Sequence, residues 1–288
     1  MIDTIVLEEL IMLWLWISLL SLVISVVTCA LTGAFAVLTW KWMLPVAFAV
    51  SFLVLILLAF LFLLYLCKRV DQSIPQEEDD PLYRKVTNLY IRSVLPVLQF
   101  HVKKKGMKKL PADGRFLLIC NHCSLADPIV LLYALHRYQL AFVSKKENAG
   151  MFVIGPMMHK IQCQLINREN DREALKTILR CIQILKEDKA SVAVFPEGGI
   201  LSEDGKLHNF RPGVFKIAQK ANVPVVVCTL KNTKDVVKNI FKLKPSYTQV
   251  NVLEVIPAQE VKASNTVDLA HRCHDLMAED LGPDLIAE

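Results

Sequence analysis

The chain has 288 residues, 53% of them hydrophobic, and a formal net charge of +5. Soluble domains are usually about 45–50% apolar, and the excess here sits at the N-terminus, where residues 10–40 and 42–67 contain no Asp, Glu, Lys or Arg. These figures exclude a disordered chain, a freely soluble one, and a nucleic-acid binder resting on charge alone.

In chain order, Ile11–Leu31 and Leu44–Cys67 are each long enough to span a bilayer. The second, at 24 residues, makes about 36 Å of helix against a hydrocarbon core of about 30 Å. A signal peptide is the competing reading of the first, but Asp3, Glu8 and Glu9 stand where its positive n-region belongs. Trp40 and Trp42 mark an interfacial turn between the spans. Lys68, Arg69, Arg84, Lys85 and Arg92 follow the second. The positive-inside rule therefore predicts an integral membrane protein with two spans and its C-terminal domain on the cytoplasmic face. The eight cysteines, irregularly spaced in a long chain, fit reduced thiols rather than a disulfide framework.

Residues 1–70 thus read as a membrane hairpin, 71–81 (DQSIPQEEDDP) as an acidic linker, and 82–288 as a second domain. An amphipathic helix is predicted from Leu82 to about Leu95. His101–Lys109 then holds five lysines, a solvated strand edge and turn and, without conflict, a basic patch toward the lipid bilayer. Beyond it, strands are predicted at Phe116–Cys120, Leu140–Ser144, Cys163–Asn167, Ser191–Phe195, Val223–Leu230 and Val250–Ile256. Helices fall at about 126–137, 171–187, 213–221 and 266–280, with Ala174, Ile178, Leu179, Ile182 and Leu185 as a buried stripe. The fold class is α/β: a largely parallel sheet with covering helices, whose ligands bind beyond the carboxyl ends of the strands.

Two strands run into polar sequence at that edge: Phe116–Cys120 into Asn121-His122-Cys123-Ser124-Leu125-Ala126-Asp127, and Ser191–Phe195 into Pro196-Glu197-Gly198-Gly199. An imidazole at 122 takes a proton from a hydroxyl near pH 7, and a carboxylate at 127 on its other nitrogen fixes the tautomer. Asp127-Pro128 equally suits a helix start, and Ser124-x-x-Asp127 a capping box. Cys120-x-x-Cys123 suggests a redox pair, or a zinc half-site closed by His271, Cys273 or His274. Cys120 ends an apolar strand, however, and reads more simply as a small buried residue.

Asn121-His122-x4-Asp127 resembles the signature of the glycerolipid acyltransferases, specifically the lysophosphatidic acid acyltransferases. Further blocks follow in that family's order: Val143-Ser144-Lys145-Lys146-Glu147 with Gly155, Leu165-Ile166-Asn167-Arg168, Phe195-Pro196-Glu197-Gly198, Ser202-x-Asp204-Gly205-x-Leu207, Phe210-Arg211-x-Gly213 and Val223-Pro224-Val225-Val226. The resemblance covers roughly residues 85–235. It implies that His122 deprotonates an acceptor hydroxyl, Asp127 orients the ring, and an acyl thioester, acyl-CoA or acyl-carrier protein, is attacked directly. Gly198 N–H and Lys145 are the candidates for the oxyanion and thioester, with Gly198-Gly199 equally suiting no more than a tight turn, and Glu197, Arg168 and Arg211 for acceptor binding. No metal and no bound cofactor are implied, and no nucleic acid.

Two departures bear on the acceptor. Gly199-Ile200 stands where the family has Thr-Arg, so an arginine associated with the acceptor phosphate is missing, and Asn167 replaces an aspartate. A bend through Leu201–Leu207 would bring Arg211 back to the same strand edge in place of that arginine, though Arg211 equally suits a surface position before a helix. The acceptor implied is lysophosphatidic acid at its sn-2 hydroxyl, giving phosphatidic acid for phospholipid synthesis. The alternatives are glycerol phosphate, a lysophospholipid or a lyso-aminolipid, or a non-catalytic membrane-binding relative.

Overall fold

The computed structural model describes residues 4–201 and 205–287, with side chains from residue 13 onward. Asp3, the side chains of Glu8 and Glu9, Ser202 and Asp204, all used above, lie outside the described residues. The chain parts into two compact units at Asp71/Gln72.

The first unit is a pair of long apolar helices, α1 (Thr4–Leu31) and α2 (Trp40–Lys68). Both are long and apolar enough to cross a membrane. Trp14 packs its ring on Phe52, and Ser51 Oγ lies 3.3 Å from the Ser21 carbonyl. The turn runs over residues 32–39, so Trp40 and Trp42 open α2 rather than forming the turn. Pro45 in the second turn of α2 leaves the helix continuous.

In the second unit the acidic stretch is drawn onto the fold. Asp79 is buried against Arg84 (Nε–Oδ2 3.0 Å), whose remaining nitrogens donate to the Leu140 and Ile161 carbonyls. Asp80 caps α3 (Pro81–Val97) by accepting from the Leu82 and Tyr83 amides. Burial raises the Asp79 pKa, and Arg84 opposes the rise.

Seven strands form one sheet: β1 (Phe100–Lys105), β2 (Leu117–Cys120), β3 (Leu140–Lys145), β4 (Gln164–Ile166), β5 (Ser191–Val194), β6 (Val225–Lys231) and β7 (Ser246–Ile256). Their order is β1-β7-β6-β2-β5-β3-β4. The five from β6 to β4 are parallel, whereas β7 runs against β6 and carries β1 with it. The lysine run is thus an edge strand and the turn after it. There Gly106 (φ +68°) is obligatory, since a Cβ would fall 2.1 Å from the Val252 carbonyl oxygen.

Side chains alternate across this sheet with the strand period of two. Leu117, Ile119, Val192, Val194, Val225 and Val227 face one buried cluster, and Leu118, Cys120, Ala193, Val226 and Cys228 the other. α6 (Asp171–Lys186), α7 (Lys216–Ala221), α9 (Ala258–Ala263) and α10 (Thr266–Leu281) accompany the first; α3, α4 (Asp127–Ala134), α5 (Ile154–Lys160) and α8 (Val236–Phe241) complete the set. α6 buries Cys181, Ile184 and Leu185, while Leu179, read as part of its stripe, is 55% exposed. The short helices α5, α8 and α9 give too few turns for an apolar period to show. Cys120 and Cys273 lie in clusters on opposite faces of the sheet, and among the described residues no three His, Cys, Asp or Glu side chains are grouped to hold a metal ion.

Candidate active site

Five parallel strands deliver their carboxyl ends to one edge, and the polar residues of that edge meet there. Asn121 continues the sheet past the end of β2: its Oδ1 accepts from the Leu230 amide (2.7 Å) and its Nδ2 donates to the Leu230 carbonyl (3.0 Å). The chain then turns sharply, and Asp127 closes the turn. One oxygen, Oδ2, accepts from the Cys123 amide (2.7 Å) and the Ser124 amide (2.8 Å) and lies 2.9 Å from His122 Nδ1. The contact to Ser124 is half of the capping box; the other half is absent, because Ser124 Oγ accepts from the Ala126 amide. Asp127 is fully buried, and among the described residues its Oδ1 has no hydrogen-bond partner.

Two backbone amides fix this carboxylate oxygen in place. It therefore orients the imidazole so that Nδ1 carries the proton and Nε2 is left as the base. The His122 side chain is 15% exposed and lies flat on Phe195 (ring centroids 4.0 Å, 14° between planes).

Glu197 sits differently from its sequence assignment. It is 2% exposed, with Oε1 accepting from the His122 amide (2.7 Å) and Oε2 from the His208 amide (3.1 Å). Both oxygens face protein, so the side chain positions the His122 backbone rather than meeting an acceptor. Burial pushes its pKa up to about 7, against the pull of those two amides. Gly198 also departs from expectation. Its N–H donates to the Phe195 carbonyl (3.0 Å), closing the turn, and is not free for an oxyanion.

What the glycines provide instead is space for cations. A Cβ at Gly198 (φ +87°) would lie 2.7 Å from Arg211 Nε, and one at Gly199 would lie 3.0 Å from Arg168 Nη1 and 3.8 Å from Lys145 Cε. Lys145 at the end of β3 and Arg168 and Arg211 from two separate connections therefore converge on one turn. The Arg211 amide anchors its segment by donating to the Pro196 carbonyl (2.9 Å). Burial, and then the Arg211 charge, lower the Arg168 pKa, with Glu147 opposing. Among the described residues neither guanidinium has a carboxylate in ion-pair range. Two arginines that repel each other in a partly desolvated turn make a site for a multiply charged anion.

On the other flank of His122 a cavity of about 420 Å³ opens beside β6 and β7, lined in part by Asn121, Cys123, Lys231, Lys234 and Tyr247. Asn121 and Phe195 stand within sequence motifs without an assigned role in the site, and His208 stands in none. Only Asn121, a polar residue ending an apolar strand, left a visible signal.

Comparison with known proteins fits this geometry. Residues 101–231 match the family model described as Acyltransferase. The chain is similar to a 1-acyl-sn-glycerol-3-phosphate acyltransferase of Chlamydomonas reinhardtii, 32% identical over 61% of this chain and 51% of that one. It is also similar to a 1-acyl-sn-glycerol-3-phosphate acyltransferase of Bacillus subtilis, 34% identical over 46% of this chain and 64% of the other. The chain spans about half the length of the curated relatives it matches. Its fold is shared with the solved structure of PlsC, the 1-acyl-sn-glycerophosphate acyltransferase of Thermotoga maritima. The TM-score is 0.60 at 21% identity, covering 76% of this chain and 86% of that one.

Proposed function

We propose, on the premise that residues 101–231 form an Acyltransferase-family domain, that this chain transfers a fatty acyl group from an acyl thioester to the sn-2 hydroxyl of lysophosphatidic acid. The observation that carries the proposal is the His122–Asp127 pair, with Nε2 left free, next to the turn where Arg168 and Arg211 meet. The arginines hold the acceptor's phosphate and so bring its hydroxyl to Nε2. His122 takes the hydroxyl proton as the oxygen bonds to the thioester carbonyl carbon, and Asp127 stabilises the imidazolium. The tetrahedral oxyanion is met by Lys145 and the Gly199 amide, which replace Gly198 in that role. Collapse breaks the carbon–sulfur bond, and the thiolate leaves with the proton returned from His122. The ester formed is phosphatidic acid.

The donor is acyl-CoA or an acyl-carrier protein, and the two apolar helices hold the chain in the bilayer with the domain on the cytoplasmic side. A second reading keeps the chemistry and changes the acceptor, and Ile200 favours it: 37% exposed, it occupies the position of the family's arginine. Purified protein in detergent, given radiolabelled acyl thioester and a panel of acceptors, separates the two. Phosphatidic acid should be the main product, dependent on His122. Transfer only to acceptors lacking a phosphomonoester would establish the second reading, and no transfer to any acceptor would leave a non-catalytic relative.

A further inference from the structure

The connection from β6 to β7 leaves the same sheet edge as His122 and contains the two most exposed large apolar side chains of the second unit, Phe241 at 85% and Leu243 at 83%. Leu243 also sits in left-handed backbone at φ +51°. It closes α8, with its own amide on the Ile240 carbonyl (3.1 Å) and the Lys244 amide on the Asn239 carbonyl (2.9 Å). That is the helix-ending motif whose left-handed position normally takes glycine or asparagine. A leucine there bears conformational strain without burying its side chain. The flanking Lys238, Lys242 and Lys244 are exposed and have no ion pair among the described residues, and no Asp or Glu occurs from Val236 to Leu253.

Exposed apolar residues also occur on the other connections at this edge: Leu125 after β2, Phe152 after β3, Leu201 after β5. The opposite edge also exposes large apolar side chains, Ile74 at 62% and Leu82 at 50%, but these flank the acidic stretch Glu77–Asp80 rather than standing among lysines. Apolar tips set among lysines match a surface that is apolar inside and anionic outside. We infer that Val236–Pro245 is a lipid-contacting wedge, with Phe241 and Leu243 entering the acyl boundary of an anionic leaflet and Lys238, Lys242 and Lys244 on its phosphates.

Amide hydrogen exchange on the full-length protein tests this without requiring acyl transfer, so its failure leaves the proposed function standing. Exchange over residues 239–245 is compared in detergent micelles, in phosphatidylcholine nanodiscs, and in nanodiscs with added phosphatidylglycerol. Exchange should be slowest with phosphatidylglycerol, and each Lys→Gln substitution at 238, 242 or 244 should lower that protection by up to about fivefold. Phe241→Ser with Leu243→Ser should abolish it. Leu243→Asn should hold or raise the melting temperature, since asparagine accepts the left-handed backbone, while lowering the protection. Equal exchange in all three media, or equal protection with and without phosphatidylglycerol, would overturn the wedge. Protection that rises with protein concentration in micelles would overturn it in favour of a protein contact. A fall in melting temperature for Leu243→Asn would show that the leucine serves its own chain instead.

Discussion

The two edges of the sheet are built to opposite rules. At the amino edge of the parallel strands, three connections are tied to one another. Arg115 pairs with Asp188 (2.8 Å) and donates to Gln139 (2.8 Å), and the Tyr138 hydroxyl donates to the Pro111 carbonyl (3.0 Å). At the carboxyl edge, charge is left open. Two arginines share one turn, and among the described residues a buried carboxylate oxygen of Asp127 lacks a partner. The first edge is finished by folding, whereas the second is completed by what it binds. Substitutions at the carboxyl edge should therefore move activity, and those at the amino edge only stability.

The largest effect should come from His122→Ala, which removes the base. Turnover should fall about 10²–10⁴-fold with thermal unfolding close to wild type; retained turnover would erase the distinction between the edges. Next is the pH dependence of stability. The Glu197 pKa in the fold, about 7, lies above its usual 4.5, so between those pH values the folded state binds the extra proton. Stability is fully present below about pH 4.5 and falls as pH rises through 7, by about 3 kcal/mol. Asp79, raised in the same direction, adds to the fall. Melting curves from pH 4 to 8 should show the slope, and Glu197→Gln should flatten most of it.

Arg168→Ala and Arg211→Ala should each raise the KM for lysophosphatidic acid by about 10–100-fold, corresponding to about 1.5–3 kcal/mol for a hydrogen bond to a charged group. Lysine at either position should rescue only in part. An unchanged KM in both would remove the anion site from the carboxyl edge. The smallest effect is at the other edge. Arg115→Ala should cost at most about 1 kcal/mol in denaturant unfolding, as for other exposed ion pairs, and leave turnover untouched.

Much of this was legible in sequence because it is written in local runs. The apolar strands and the polar residues at their ends located the edge, and the five-residue spacing of His122 and Asp127 lies within one turn. The role of Glu197 was not legible, because the amides that define it come from His122 and His208, 75 and 11 residues away. Gly198 misled for the same kind of reason: whether an amide is free depends on the turn that closes over it. The approach of Arg211 to Gly198 was readable only as a bend between two segments. Its distance from Arg168, and the repulsion between them, required the packed sheet.

Asn121 has a chemical as well as a structural consequence. Asparagine ages by attack of the following backbone nitrogen on its own side-chain carbonyl, losing ammonia and leaving aspartate. Here the nitrogen in question is that of His122, whose hydrogen is held by Glu197, and the amide it would attack is pinned at both ends to Leu230. Neither partner can turn toward the other while the fold persists. The residue next to the base is thus shielded from deamidation for as long as the sheet edge stays closed, and the working lifetime of the site is tied to how seldom that edge opens.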